Sequence, residues 1–198
     1  MPSTKDAIHE GQIGLTACET KVKYKDVFHL KNLYRYMHEW LINDGWGNHS
    51  DEKWPEVMYM SNQRHDGEEV WTWWRLERPN NNYMKSAMDV DMHVLYLKNV
   101  EKVINGKKVK AQNGECEVII RGRLVVDPDS YWRKHWLLKH LNQFYWRRFN
   151  KLRVEQQKQE LYQDCYKFHA AIKNFFRLYQ VEPDRKPFRS HGGLETGV

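Results

Sequence analysis

The sequence predicts an α+β fold: an antiparallel sheet of three to five strands, covered on one face by an N-terminal helix and a long C-terminal helix. Apolar and polar residues alternate with period two in residues 88–96 and 115–126, as a sheet with one buried face requires. Apolar residues recur at three- and four-residue steps within residues 27–44, which is typical of a helix. Residues 130–180 contain no glycine or proline, which favours a second helix.

Length and composition predict one folded domain with extensions. The chain has 198 residues, of which 40% are hydrophobic and 29% charged, and these values argue against global disorder. We expect a tail in residues 1–19, an α+β domain in residues 20–152, a helical extension in residues 153–182 and a basic, glycine-containing tail in residues 183–198.

The N-terminal half of the domain is predicted to contain one helix between short strands. Residues 20–24 alternate as a strand does, and Asp26 is a suitable N-cap for a helix over residues 27–44 that ends at Gly45. Residues 55–61 and 69–77 follow as strands. The dipeptide Asp66-Gly67 lies between them and favours a hairpin turn.

The two strongest strand patterns predict their own register. If paired residues have numbers that sum to 212, apolar side chains face apolar ones. The same register places Asp89 opposite Arg123 and Asp91 opposite Arg121, and each opposite-charge pair contributes about 0.2–1 kcal/mol. A slip by one residue would turn every side chain to the other face.

The predicted C-terminal helix, starting at residues 127–130, carries two apolar stripes that do not line up. At about 100° per residue, the second stripe points away from the first by roughly 160°. Either the helix bends near residues 153–160, or its second half projects and docks elsewhere, or it folds back as a helical hairpin. The first stripe comprises Tyr131, Leu138, Leu141, Tyr145, Phe149 and Leu152, and the second comprises Leu161, Cys165, Phe168, Ile172, Phe175 and Tyr179.

Charge is concentrated in the C-terminal third of the chain. The formal net charge is +6, and residues 130–190 hold fourteen Lys or Arg against five Asp or Glu. This asymmetry predicts a polyanion, an anionic membrane surface or an acidic patch of a neighbouring subunit as partner, with a merely solvated basic helix as the alternative.

The sequence gives no sign of export or of a membrane span. Residues 1–25 lack the apolar core of a signal peptide, and no apolar run reaches the roughly 18–20 residues that cross a bilayer. Three widely spaced cysteines make a disulfide framework or a cysteine-based zinc site improbable. We expect a protein of the cytoplasm, or one within an assembled particle, with no cofactor.

Aromatic residues exceed what one small domain readily buries. Nine are tryptophan, and Trp132, Trp136 and Trp146 lie off the first stripe beside basic side chains. Such a surface stacks bases, lies at a membrane interface or forms a protein contact, unless another segment of the chain covers it. The predicted oligomer interface comprises Trp132, Trp136, Trp146, Leu161, Phe168, Ile172, Phe175 and Tyr179. The alternative polyanion site comprises Arg133, Lys139, Arg147, Arg148 and Lys151.

Candidate catalytic and metal-ligating residues are few. Asp89, Asp91 and His93 share one strand face, but the predicted register gives both aspartates an arginine partner, which favours a solvated charged face over a metal site or an acid–base pair. His135 and His140 diverge on a helix. No phosphate-binding loop, nucleophile elbow or HExxH motif is present, and we expect no enzymatic activity.

Two segments carry a resemblance to known sequences. Residues 27–34, continuing to Trp40-Leu41 and Gly45-Trp46, resemble small uncharacterised proteins of symbiotic, reduced-genome archaea of the DPANN type. Residues 105–110 also resemble the corresponding stretch of those proteins. It implies no activity. The residues themselves lead us to expect a non-enzymatic structural protein that self-associates into a filament, tube or shell, with a nucleic-acid-binding module as the alternative.

Overall fold

The computed structural model describes residues 13–46, 54–104, 107–138, 141 and 144–176. Five strands and three helices follow one another along this part of the chain. The strands are β1 (Ile13–Phe28), β2 (Glu56–Arg64), β3 (Gly67–Asn81), β4 (Met84–Ile104) and β5 (Lys107–Val126). The helices are α1 (Leu30–Asn43), α2 (Tyr131–Lys134) and α3 (Lys151–Phe175), with a π-helical turn at Tyr145–Phe149.

All five strands form one antiparallel sheet in the order β1-β5-β4-β3-β2. The α+β class and the antiparallel sheet are therefore confirmed. Both β1 and β2 are edge strands, and β4 lies at the centre. Strands β2 to β5 each pair with the next strand along the chain, whereas β1, the first strand, pairs with β5, the last.

The predicted register of β4 and β5 is wrong by two residues, although both predicted ion pairs form. Asp89 lies opposite Arg121, and Asp91 lies opposite Ile119. The guanidinium of Arg123 nevertheless binds Asp89, and that of Arg121 binds Asp91, each across a diagonal of the ladder. A shift of two residues leaves every side chain on its predicted face, so the alternation could not distinguish the two registers.

Helices α1 and α3 pack on one face of the sheet and enclose the core. Trp40 of α1 meets Phe168 of α3 with ring centroids 5.0 Å apart, and Tyr34 of α1 meets Trp74 of β3 edge-on at 5.0 Å. The fully buried side chains of this core include Leu33, Met37, Leu41, Trp74, Leu76, Met88, Met92, Ile120, Leu124, Leu161 and Phe168. Burying one such side chain contributes about 1.5–3 kcal/mol, so this face holds most of the stabilising contacts.

The N-terminal boundary of the domain differs from the prediction. Strand β1 begins at Ile13, within the predicted tail of residues 1–19, and continues to Phe28. Asp26 is a residue of this strand, and α1 begins after His29. The reason is that β1 pairs with β5 along almost its whole length, from Ile13 to Phe28, and this long-range pairing outweighs the local capping preference of an aspartate.

A single helix over residues 130–180 is wrong. Helix α2 ends at Lys134, His135 is extended, and α3 begins only at Lys151 after the π-helical turn. Leu152 of the first stripe and Leu161 of the second lie on opposite sides of α3, so only one stripe can face the sheet. The core takes the second stripe, and Leu161, Phe168 and Ile172 are fully buried in it. The predicted use of these three residues in an oligomer interface is therefore wrong.

The β4–β5 hairpin extends beyond the rest of the sheet. Pairing of β3 with β4 stops at Leu97, and pairing of β1 with β5 stops at Gln112. Register shifts in β4 between Leu95 and Lys98, where Tyr96 has φ 55°. Gly67, at φ 139°, lies against this irregularity; a Cβ added there would approach the Tyr96 carbonyl carbon to 2.7 Å, so only glycine fits.

Candidate interaction surface

The segment between β5 and α3 carries a set of exposed apolar side chains, here called the apolar strip. Trp136 is 77% exposed, Phe149 76% and Leu152 79%. The rings of Phe144 and Phe149 meet edge-on at 5.7 Å. The apolar strip comprises Tyr131, Trp136, Leu137, Leu141, Phe144, Phe149 and Leu152. Summed over these seven side chains, the exposed area is roughly 900 Å², taking about 150–250 Å² for each fully exposed side chain.

A strained turn after β5 starts the segment. Asp127 and Ser130 both have positive φ, 54° and 58°, a conformation that costs non-glycine residues about 1–3 kcal/mol each. The backbone N–H of Ser130 donates to the Asp127 carbonyl at 3.0 Å, and that of Trp132 donates to the Asp127 carboxylate at 3.2 Å. Asp127 therefore caps α2 from four residues before the helix begins and fixes where the segment leaves the sheet.

An aromatic cluster fastens the segment to the body of the protein. Tyr83, in the turn between β3 and β4, meets Trp132 at 5.3 Å and Tyr145 at 5.4 Å. Trp132 and Tyr145 stack on each other at 4.5 Å. Burial raises the pKa of Tyr83 above its ordinary value, and the Asp127 carboxylate adds to that effect. Trp132, which the sequence predicted at an oligomer interface, is partly buried and contacts both tyrosine rings of this cluster; its role in an interface stays a prediction.

The whole segment is basic. Residues 130–154 contain seven Lys or Arg and no Asp or Glu, so the other 173 residues, with 25 basic and 26 acidic side chains, carry a net charge of −1. Lys134, Arg148, Lys151 and Arg153 are exposed beside the apolar strip. The net positive charge of the protein is therefore concentrated around its most exposed apolar side chains.

The structure separates the predicted site residues into distinct groups. Trp136 is exposed as predicted, and Arg148 and Lys151 are exposed beside it. Phe175 is partly buried and meets Tyr36 of α1 at 5.3 Å, so most of its contacts are intramolecular. Lys139 and Tyr179 lie outside the described residues. Arg133, Trp146 and Arg147 are described by their backbone alone.

The sequence-based prediction placed Leu141, Phe149 and Leu152 in the stripe that packs on the sheet, whereas the structure exposes all three. A signal that distinguishes the two stripes is present in the sequence. The Lys, Arg, Asp and Glu residues between the exposed apolar ones are all Lys or Arg, while the buried stripe of α3 is interleaved with acidic residues such as Glu160 and Asp164. A surface whose charged residues are all basic is typical of one that meets a partner.

A groove between α1 and β2 is the second candidate surface. Two open cavities of about 940 and 490 Å³ adjoin there and share Lys31 and Tyr34. The smaller cavity has an apolar floor that includes Met92 and Leu97. Val57 and Tyr59 of β2 are both more than half exposed at this edge. Helix α1 therefore leaves part of the sheet uncovered on the side of β2.

The polar groups of the groove differ between its two walls. On the sheet side, Glu56 accepts from the Tyr34 hydroxyl at 3.2 Å and Glu68 accepts from the Ser61 hydroxyl at 2.5 Å. On the helix side, α1 contributes Lys31, Arg35 and Glu39. Burial, together with the Glu56 carboxylate, raises the pKa of Tyr34 to about 12. The sheet wall is acidic and the helix wall is of mixed charge.

The other face of the sheet carries a buried ion network. Arg75 donates to Asp91 at 2.6 Å and lies 3.8 Å from Asp89, and the arginines of β5 bind the same two carboxylates. The aspartates are therefore structural, as their predicted arginine partners indicated. Among the described residues, no group of three or more His, Cys, Asp or Glu is arranged to hold a metal ion.

His93 belongs to a separate cluster on this face. It lies 2.9 Å from the buried carboxylate of Glu69, and its ring stacks on Trp71 at 3.5 Å. The hydrogen bond from His93 lowers the pKa of Glu69, and Arg64 acts in the same direction. These contacts join the side chains of β3 and β4 across this face of the sheet.

Within the described part of the chain, no helix combines the length and the apolar composition that crossing a bilayer requires. Comparison with known proteins finds no family model that matches the chain and no match among curated proteins.

Proposed function

We propose that this chain is a non-enzymatic structural protein that self-associates through the apolar strip. The observation that carries the proposal is the exposure of seven large apolar side chains in a molecule whose core is already filled by α1 and α3. Their roughly 900 Å² is close to the 800 Å² that each partner contributes to a standard stable interface. The apolar strip is therefore large enough to form an interface with a second copy of the chain.

The composition of the apolar strip favours a protein partner over a nucleic acid. Leu137, Leu141 and Leu152 are about half or more exposed. Leucine side chains neither stack on bases nor bind phosphates, whereas aromatic and aliphatic residues with arginine at the rim are common in protein interfaces.

Charge favours a head-to-tail contact over a symmetric one. Two strips facing each other would bring seven basic residues of each copy together, and like charges across an interface are unfavourable. The groove between α1 and β2 offers an apolar floor and the carboxylates of Glu56 and Glu68 instead. We propose that the apolar strip of one copy docks in the groove of the next. Such a heterologous contact generates a ring or an open filament.

The test compares the mass of the native particle between matched variants by size-exclusion chromatography with light scattering. Trp136→Ala with Phe149→Ala removes two exposed rings of the apolar strip. The control, Tyr162→Ser with Tyr166→Ser, removes two exposed rings of α3 that lie outside it. We expect a concentration-dependent assembly in the wild type and the control, and a monomer in the strip variant. A wild type that stays monomeric at high concentration, or a strip variant that assembles normally, contradicts the proposal.

Nucleic-acid binding is the second candidate, supported by the seven basic residues of residues 130–154. It predicts that nuclease and high salt dissolve any large species, and that single strands quench tryptophan fluorescence in a salt-dependent way. Self-association predicts that nuclease leaves the particle intact; salt weakens only the charge pairs at the rim of the contact and not its buried apolar area. Adding anionic lipid vesicles to the monomer identifies a membrane surface as partner if the protein sediments with them.

A further inference from the structure

We propose that Cys18 of β1 and Cys165 of α3 are a redox-modification site, at which oxidation joins the two residues in an intramolecular disulfide. Both side chains are free thiols in the structure, and both are buried. This inference is independent of the proposed self-association, because it concerns the contact between the edge of the sheet and the helix that covers it.

A glycine in β5 makes room for both sulfur atoms at one point. A Cβ built on Gly122 would lie 2.6 Å from Cys165 Sγ and 2.9 Å from Cys18 Sγ. Any larger residue at this position would displace at least one of the sulfurs. The two thiols therefore occupy the space above a single residue of the sheet, and they are close enough for a hydrogen bond from one sulfur to the other.

An irregularity in the edge strand accompanies this arrangement. The register between β1 and β5 shifts between Thr16 and Cys18, with Cys18 opposite Gly122. An extra residue at such a bulge re-aims the side chains that follow it. Cys18 consequently points under α3, toward the helix position that carries Cys165.

The two thiols differ in acidity. Cys165 donates a hydrogen bond to the Cys18 sulfur, and the backbone N–H of Gly122 adds a second, so the pKa of Cys18 is lowered although burial opposes this. The same hydrogen bond and burial raise the pKa of Cys165. Since the thiolate is the reactive form of cysteine, Cys18 is the residue expected to react first.

An open cavity lies next to the chain neighbour of Cys18. It has a volume of about 330 Å³ and is lined by Ala17 and by residues of α3 that include Tyr162. Oxidation requires a small local opening beside this cavity to expose the buried Cys18 thiol. Because β1 is an edge strand, no further strand blocks the approach along the described chain.

The reaction needs a peroxide as oxidant. The Cys18 thiolate attacks one oxygen of hydrogen peroxide, the O–O bond breaks, and hydroxide leaves, which gives a sulfenic acid at Cys18. The Cys165 sulfur then attacks the Cys18 sulfur, the S–O bond breaks, and the hydroxyl leaves as water with the Cys165 proton. In sum, two thiols and one hydrogen peroxide give one disulfide and two waters.

Cys116 provides a matched control in the same chain. It is fully buried on β5, and burial raises its pKa to about 12. No partner thiol is described beside it. Unselective oxidation of the folded protein would link Cys116 or modify each thiol separately, whereas the proposed site predicts one specific link between Cys18 and Cys165 and an unmodified Cys116.

The experiment treats the native full-length protein with hydrogen peroxide, alkylates the remaining thiols and maps peptides without reduction. We expect a peptide that links Cys18 to Cys165, a free Cys116, and a thermal midpoint raised by about 5–15 °C that reductant reverses. Cys116→Ala should keep the link and the thermal shift. Cys165→Ala should lose both and leave Cys18 as a sulfenic acid that a dimedone probe traps.

Three outcomes overturn the proposal: a native wild type whose Cys18 and Cys165 remain separately alkylated, a link that involves Cys116, or a link that forms only after denaturation. Circular dichroism before and after oxidation establishes that the protein stays folded. The peptide map of the wild type decides the matter even if a cysteine variant fails to fold.

Discussion

Replacing Gly122 by alanine perturbs the contact between β5 and α3 at one atom. The new Cβ would lie 2.6 Å from Cys165 Sγ and 2.9 Å from Cys18 Sγ, against an ordinary contact of at least 3.4 Å. The Cys165 sulfur therefore has to move by at least 0.8 Å. Its neighbours in α3, Leu161 and Phe168, are fully buried and leave little freedom for that movement.

Overpacking of this kind costs about 2–3 kcal/mol. Alanine loses less backbone entropy on folding than glycine does, and this difference offsets the overpacking cost by about 0.4–1 kcal/mol. We therefore expect Gly122→Ala to lower the free energy of unfolding by about 1–2.6 kcal/mol, the difference between these two ranges. Urea denaturation followed by circular dichroism measures this loss as a lower midpoint with an unchanged slope.

A double-mutant cycle tests the assigned cause. Cys165→Ala removes the nearer sulfur, so Gly122→Ala should cost much less in that background, with a coupling of about 1 kcal/mol or more. A Gly122→Ala variant as stable as the wild type would refute the steric argument. A loss that is identical in both backgrounds would show that the cost arises from the backbone of β5 and not from the sulfur.

Three further predictions concern the charged groups of the sheet. Asp91→Ala leaves the buried guanidinium of Arg75 with one of its two carboxylates, and we expect a loss of about 2–4 kcal/mol in urea denaturation. The pKa of Glu69 is lowered by its hydrogen bond with His93, so its stabilising contribution is present above the unfolded value of about 4.5 and is lost as pH falls below it; Glu69→Gln should flatten the acid limb of a stability–pH profile. Arg78→Met removes an ion pair to α3 at 2.6 Å and should lower the thermal midpoint more in low salt than in high salt.

The sheet could be predicted from the sequence to the level of strands and faces, but not of register. Period two places residues 88–94 and 115–126 correctly on two faces of neighbouring strands, but it fails at Tyr96, which was expected on the buried face and is 55% exposed where the register of β4 shifts. A shift of two residues preserves those faces, so alternation alone cannot choose between sums of 210 and 212. The pairing of β1 with β5 was also out of reach, because a contact between residues about 100 positions apart leaves no local pattern.

The candidate surface could be predicted in composition but not in place. Aromatic and basic residues between positions 131 and 152 indicated a partner, and Trp136 is exposed as expected. The sequence showed that the two stripes are offset, but not which of them the core would take. The stripe of Leu161 and Phe168 faces the core, so Leu152, on the opposite side of α3, is left outside together with Phe149.

The β4–β5 hairpin, which extends beyond the rest of the sheet, determines where local unfolding begins. Between Val100 and Ile104, and between Lys107 and Ala111, each strand pairs with the other, and no third strand among the described residues joins them. A two-stranded ribbon is marginally stable in water, whereas the amides of Val90 and Ile120 lie at the centre of five strands. Hydrogen–deuterium exchange should therefore proceed from the ribbon tip toward the bend at Tyr96 and stop there, so that this residue marks the border between a fraying unit and the globally protected sheet.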